Sequence, residues 1–158
     1  MTVTGIVAVD RNLAIGKGGQ LPWHYSSDLK FFRQQTTGNV CLMGHTTWLT
    51  LKRPLKERLN IVLSRSSEIA PQASLLVLRD KLEVLSLLPF LSCELFVIGG
   101  RQIYETFLGE IDRWIVTEVP LSIEGAETFM PINFLDGFTS VQTLPLEGGL
   151  VVRFYERR

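Results

Sequence analysis

The acid with the most chemistry to offer is Asp28, because its neighbours are apolar. On a helix it shares a face with Phe32 at i+4, and Leu29 flanks that face, so a carboxylate projects among greasy side chains. Low dielectric there raises a carboxyl pKa and matches the group to a planar cationic or amidine-like ligand. The same acid would equally serve as a first-turn charge favoured by the helix macrodipole. Upstream runs Ala14-Ile15-Gly16-Lys17-Gly18-Gly19-Gln20-Leu21-Pro22-Trp23. Glycines make this connection mobile, and Leu21-Pro22-Trp23 gives it a rigid apolar end. Taken alone it is also an ordinary surface loop with a tryptophan anchor.

Three further junctions carry groups suited to anions. Val40-Cys41-Leu42-Met43-Gly44-His45-Thr46-Thr47-Trp48 passes from an apolar strand through glycine to polar residues that open a short helix. Free N–H groups and hydroxyls there suit a phosphate, and a plain Thr-capped helix fits the segment equally. In Val97-Ile98-Gly99-Gly100-Arg101-Gln102-Ile103-Tyr104, paired glycines let a second helix start approach a ligand closely, with a pyrophosphate as the natural guest. This is not G-x-G-x-x-G, and one Gly-Gly pair carries little; two such junctions in a small domain point to a cofactor with several phosphates. At Leu63-Ser64-Arg65-Ser66, Arg65 and the hydroxyls suit a phosphate monoester such as the one distinguishing NADP from NAD. The basic stretch Lys52-Arg53-Pro54-Leu55-Lys56-Glu57-Arg58 reads as a solvated loop, or as a place where Arg58 forks onto a substrate carboxylate.

Positioning these groups requires strands that end where the chemistry begins. Short β-rich runs stand at Val3–Val9, Val40–Met43, Asn60–Leu63, Leu75–Leu78, Leu95–Ile98 and Trp114–Val119. Ser27 is a candidate cap for a helix through Thr36. Asp80 with Glu83 forms a capping-box-like start to a helix towards Leu88, ended or kinked by Pro89, and Gln102–Leu108 follows as another helix. Phe138–Leu144 and Leu150–Tyr155 flank Pro145-Leu146-Glu147-Gly148-Gly149 as a β-hairpin. Strands alternating with helices before a terminal hairpin predict an α/β domain whose sheet is mostly parallel with an antiparallel edge. Ligands on such sheets sit at the carboxyl ends of the strands.

With 158 residues, the chain is expected to form one domain spanning 1–158. Its 46% apolar and 20% charged composition argues against disorder. Sixteen basic residues balance sixteen acidic ones, so no global field attracts nucleic acid or an anionic membrane. There is no apolar run of membrane-spanning length, and the N-terminal segment lacks the basic leader of a signal peptide. Cys41 and Cys93 are too few for a disulfide framework and, with two scattered histidines, form no zinc pattern; both read as small buried or half-buried apolar residues. The expectation is a cytoplasmic protein without a metal, and a monomer.

In order and spacing, these segments resemble the dihydrofolate reductases over nearly the whole chain. The motifs that carry the resemblance are Ala14-Ile15-Gly16, four residues, then Leu21-Pro22-Trp23; Asp28 and Phe32; Met43-Gly44 with Thr46-Thr47-Trp48; and Arg53-Pro54-Leu55 with Arg58. Asn60 to Arg65, Val97 to Gly100 with Tyr104, and Thr117 complete the set. The resemblance implies an eight-stranded mixed sheet with about four helices, and NADPH-dependent reduction of 7,8-dihydrofolate to 5,6,7,8-tetrahydrofolate. It implies that Asp28 binds the pterin N3 and 2-amino edge and favours protonation at N5, that Trp23 fixes the local water, and that Leu21 closes the loop. Ile6, Val7 and Ile98 would line the pterin pocket; Leu29, Phe32, Leu51 and Leu55 would enclose the pterin and aminobenzoyl rings. Arg58 would pair with the glutamate carboxylate, and Thr117 would support Asp28. Ala8, Ile15 and Gly16 would meet the nicotinamide. Thr46, Thr47 and the run Gly99, Gly100, Arg101, Gln102, Ile103 and Tyr104 would hold the ribose and pyrophosphate. Ser64 and Arg65 would grip the 2′-phosphate, with Gly44, His45 and Leu63 beside them. Antifolate inhibitors such as diaminopyrimidines would share the substrate site.

Three departures stand out. His45 occupies a position where members commonly carry Arg or Lys, Leu21 replaces a methionine seen in some, and Glu127 stands in a segment one residue longer than usual. Two other classes share part of this pattern. A pyrimidine reductase of riboflavin biosynthesis is opposed by Trp23 and Asp28 at the folate-type spacing. A non-catalytic nucleotide-binding domain is opposed by the intact hydride pocket.

Overall fold

The computed structural model describes residues 2–16, 23–66 and 68–158. Its centre is β1 (Val3–Val9), in which only Ala8 is not fully buried. A strand covered on both faces by helices has no polar face to show, which is why it reads as a continuous apolar run. Gly5 in its middle has a steric reason: a Cβ there would lie 2.4 Å from the Trp114 ring.

The chain then forms β2 (Ala14–Gly16), α1 (Ser26–Thr36), β3 (Val40–Gly44), α2 (His45–Leu51), β4 (Leu59–Leu63) and β5 (Leu75–Leu78). It continues through α3 (Lys81–Leu87), a 3₁₀ turn at Leu88–Phe90, β6 (Leu95–Gly99), α4 (Arg101–Phe107) and β7 (Arg113–Glu118). β8 (Thr128–Phe129), β9 (Phe138–Pro145) and β10 (Val151–Arg157) complete it. Eight strands form one sheet in the order β5-β4-β3-β6-β1-β7-β10-β9. The pairs from β5 to β7 are parallel, and β10 runs antiparallel to both β7 and β9. Among the described residues, the mixed sheet, its antiparallel hairpin edge and four helices agree with the expected architecture. Among the described residues, no helix is long and apolar enough to cross a membrane.

Side chains alternate between two cores. Val3, Val7, Val97, Trp114 and Val116 face one way with Ile103 and Phe107 of α4, while Ile6, Met43, Phe96 and Ile115 face the other with Phe31 of α1 and Trp48 of α2. Helices therefore cover both faces, and the crossovers bring the parallel strands' carboxyl ends to one edge.

Several local expectations change. The helix predicted from Ser27 begins at Ser26, and Tyr25 at its N-cap makes no side-chain cap bond. Ser27 Oγ instead donates to the Glu147 carbonyl at 2.8 Å, because the hairpin turn folds back over the start of α1. The Thr-capped alternative for α2 is absent as well: Gly44 is the N-cap, without a side-chain bond. Asp80 does cap α3, accepting from Glu83 N at 2.9 Å, while Glu83 Oε2 accepts from Arg79 N at 3.0 Å. The hairpin turn is as expected, with Gly148 and Gly149 both at positive φ. The eight-strand expectation omitted the separate two-stranded sheet of β2 and β8. At three and two residues these strands are too short for alternation to reveal them.

Candidate active site

A cleft of about 1410 Å³ opens along the carboxyl ends of the parallel strands. At one end α1 supplies Asp28. Burial pushes its carboxyl above the ordinary carboxylate range, and a hydrogen bond from Thr117, buried on β7, pulls it part of the way back. The raised pKa foreseen for an acid on an apolar face is therefore present, and its partner comes from a strand far away in sequence. Trp23 lines the same cleft, and its indole Nε1 is buried with no hydrogen-bond partner among the described residues. Leu21, with the rest of 17–22, lies outside the described residues.

Ile6, Ala8, Ile15, Gly16, Leu29, Phe32, Leu51, Leu55, Ile98 and Thr117 all reach the cleft. Val7 reaches it too, but its side chain packs in the opposite core with α4, so what it presents to the cleft is backbone. Leu29 is 49% exposed and sits on the rim. Arg58 is held from behind: its Nε donates to Lys56 O at 2.8 Å and its Nη1 to Thr36 Oγ1 at 3.0 Å, with Phe32 beneath at 6.0 Å. Restraint of this kind aims a guanidinium fork and lowers the entropy lost when it binds a carboxylate. Cys41, beneath Arg58 and Thr36, has its thiol pushed up to about 12 by burial and is inert.

The other end is built from strand-to-helix junctions. Gly99 adopts φ +119°, and a Cβ there would stand 3.3 Å from the Tyr104 ring, so glycine lets α4 start hard against the strand end. The Gly99–Gly100 peptide is cis. Tyr104 is fully buried, which pushes its phenol well above the usual range; it stays neutral and donates to the Ile6 carbonyl at 2.7 Å. Gly44, His45, Thr46, Thr47, Leu63, Ser64, Arg65, Gly100, Arg101, Gln102 and Ile103 line this end. The four junctions singled out from sequence thus meet in a single cleft.

Sequence reasoning missed a fifth junction. Arg79, Asp80 and Lys81, between β5 and α3, also line the cleft. The Asp80–Glu83 cap marked a helix start directly after an apolar strand, and the strand-end rule applied there would have found them. Phe31 was missed too; it lines the cleft while packing edge-on to Phe154 at 6.1 Å. Glu127, in the segment one residue longer than usual, donates its backbone N–H to the Gly16 carbonyl at 3.1 Å.

Donor chemistry decides what the second end suits. Among the described residues its hydroxyls include those of Thr46, Thr47 and Ser64, and its cations include Arg65, Arg79, Lys81 and Arg101. The one carboxylate lining that end among the described residues is Asp80, already engaged by the α3 cap. Lys81 pairs with Glu110 at 2.8 Å and Arg101 with Glu105 at 2.6 Å, whereas Arg65 and Arg79 make no ion pair among the described residues. A set rich in donors and poor in acceptors fits a polyphosphate.

Comparison with known proteins agrees with this geometry. The family model for dihydrofolate reductase matches residues 2–146. A dihydrofolate reductase of Haemophilus influenzae is 37% identical over 133 residues, covering 83% of this chain and 79% of that protein. One from Bacillus subtilis is 36% identical over 129 residues, covering 80% and 74%. The solved structure of a dihydrofolate reductase from Enterococcus faecalis, complexed with NADP(H) and RAB-propyl, superposes with a TM-score of 0.90. It is 27% identical, and the match covers 99% of this chain and 96% of that one. Sequence and architecture agree over most of their length, and the chain belongs to the dihydrofolate reductase family.

Proposed function

We propose that this protein reduces 7,8-dihydrofolate to 5,6,7,8-tetrahydrofolate with NADPH. The observation that carries this reading is the division of one cleft into a half-buried acid end, centred on Asp28 and Thr117, and a hydroxyl-rich cationic end. Family membership makes that division meaningful. The cofactor, when bound, supplies a hydride.

Asp28 grips the N3 and 2-amino edge of the pterin, and its charge favours protonation at N5. Thr117 holds the carboxylate in position, and its hydrogen bond favours the ionised form against the effect of burial. Ile6 and Ile98 wall the pterin pocket, and Leu29, Phe32, Leu51 and Leu55 enclose the flat rings and exclude water. Arg58 takes the glutamate carboxylate with a fork already restrained by Lys56 and Thr36. At the other end Thr46, Thr47 and the Gly99–Tyr104 turn receive the pyrophosphate and ribose, and Ser64 with Arg65 receives the 2′-phosphate. The protein's contribution is alignment, dehydration and electrostatics, without a nucleophile. Trp23 and Leu21 complete the site from the loop side. We further propose that residues 1–158 act as one unit, monomeric and cytoplasmic, and that antifolate inhibitors compete at the acid end.

The test follows NADPH oxidation on adding dihydrofolate or, separately, a ribosylated pyrimidine. Turnover is expected with dihydrofolate alone. Turnover on the pyrimidine, or NADPH binding with no turnover on either compound, would overturn this reading.

A further inference from the structure

One group at the cationic end of the cleft belongs to the side-chain type that changes charge near neutral pH. His45 opens α2, and its Nδ1 lies 3.3 Å from the Ser64 Oγ at the end of β4. That same Oγ accepts from the Ser66 backbone N–H at 3.0 Å. A hydroxyl has one proton and two lone pairs, so with one lone pair committed to Ser66 the state of the imidazole dictates where the proton points. Beside a neutral ring protonated at Nε2, Ser64 donates to Nδ1 and its hydrogen is used up. Beside an imidazolium, Nδ1–H donates into the second lone pair of Ser64, and the hydroxyl hydrogen turns away from His45. A single proton taken up by the ring therefore creates a cation and releases a neighbouring donor.

We propose that His45 is a proton-dependent determinant of the preference for NADP over NAD. Its imidazolium and the hydroxyl it releases on Ser64 together hold the phosphate monoester that distinguishes the two cofactors. This rests on the cofactor assignment made above. Among the described residues, the charged groups lining the same end are Arg65 after β4, Arg79, Asp80 and Lys81 at the start of α3, and Arg101 on α4; Lys52 follows the far end of α2. Neither β3 nor β4 brings a charge. Asp80 is committed to the α3 cap, Lys81 to Glu110 and Arg101 to Glu105. An incoming dianion favours the imidazolium over the neutral ring. Binding takes up a proton, and by linkage the affinity for the monoester-bearing cofactor gains as pH falls. A phosphate monoester's own second pKa, about 6, works against that gain over the same range. The contribution of His45 is therefore read between variants at each pH, not along one curve.

The experiment measures dissociation constants of NADPH and NADH by tryptophan quenching between about pH 5.5 and 8.5, for the unaltered protein, His45→Gln and Ser64→Ala. For NADPH, the ratio of the His45→Gln constant to the unaltered one should climb from near unity at the alkaline limit to about tenfold at the acid limit, as a one-unit displacement of the ring's titration would give. For NADH the ratio should stay flat. Nitrogen NMR of the two histidines, assigned with His45→Gln, should show His45 as the Nε2–H tautomer in the free protein at alkaline pH. Its imidazolium signals should persist to higher pH once NADPH is bound. A flat NADPH ratio, an equal climb with NADH, or an Nδ1–H tautomer in the free protein would each overturn the proposal. Dihydrofolate turnover is read separately. Its absence alongside an intact pH-dependent preference would defeat the proposed reaction and leave this role of His45 standing, while failure to bind either cofactor would remove both.

Discussion

The two ends of the central sheet carry similar kinds of side chain and use them in opposite ways. At the amino end, Arg113 Nε donates to Thr4 Oγ1 at 2.8 Å, and its Nη2 reaches both oxygens of Glu94 at 3.1 and 2.7 Å. Thr4 in turn donates to Glu94 at 2.5 Å, Asp112 accepts from Val3 N at 2.8 Å, and Asn39 accepts from Glu94 N at 3.0 Å. These polar groups use up one another's hydrogen-bonding capacity. At the carboxyl end, among the described residues, several groups keep capacity to spare: Asp28 has Thr117, His45 has Ser64, Arg58 is held only from behind by Lys56 and Thr36, and Arg65 and Arg79 make no ion pair. Capacity left over in a concave site is what binds a ligand, whereas capacity used up internally fixes strand register.

Substitutions at the two ends should therefore separate function from stability. The largest effect is expected for Asp28→Asn, which should slow hydride transfer about a hundredfold or more at neutral pH, measured by single-turnover loss of reduced nicotinamide. The deficit should shrink at acidic pH, where the substrate arrives protonated. Its stability should move the other way. Because the folded carboxyl titrates above its unfolded value, Asp28 contributes stability below the unfolded pKa that is lost as pH rises through the folded one. The Asn variant should consequently melt higher than the parent at pH 7, with the difference closing towards acid; a lower Tm at neutral pH would contradict the burial argument.

At the opposite end, Arg113→Ala should cost about 2 kcal/mol in urea unfolding by stranding half-buried Glu94. The kcat of the molecules still folded should be unchanged. A large kcat loss there would erase the contrast between the ends.

Arg58→Ala should weaken dihydrofolate binding about tenfold, as expected for a lost charge-assisted pair. It should leave diaminopyrimidine inhibitors, which lack the glutamate, nearly untouched; equal losses would remove the carboxylate contact. The smallest effect belongs to Thr117→Val. Loss of its hydrogen bond should move the acid limb of the kcat/KM profile to higher pH by less than about one unit. An unmoved limb would mean that Thr117 does not tune Asp28.

Much of this was legible along the chain. β1 and β5 have the expected boundaries, because apolar runs bounded by turn residues are a local property. The Asp80 cap was legible for the same reason, since both partners lie within one helical turn. Ser27 misled because a serine beside a helix start has two uses, capping its own backbone or reaching another segment, and the second needs the terminal hairpin in place. The junction at Arg79–Lys81 went unread because its residues look like an exposed helix start until β5 is set beside β4.

By itself the sequence determined the strand–helix alternation, the glycine breaks at the strand ends and the family motifs, all of which depend on neighbours a few residues apart. The tertiary structure decided which polar groups met a partner and which kept capacity to spare. The pairings Asp28 with Thr117, His45 with Ser64, and Tyr104 with the Ile6 carbonyl join segments that no periodicity links. Hydrogen bonding acts over about 3 Å, and only the folded sheet brings those atoms that close.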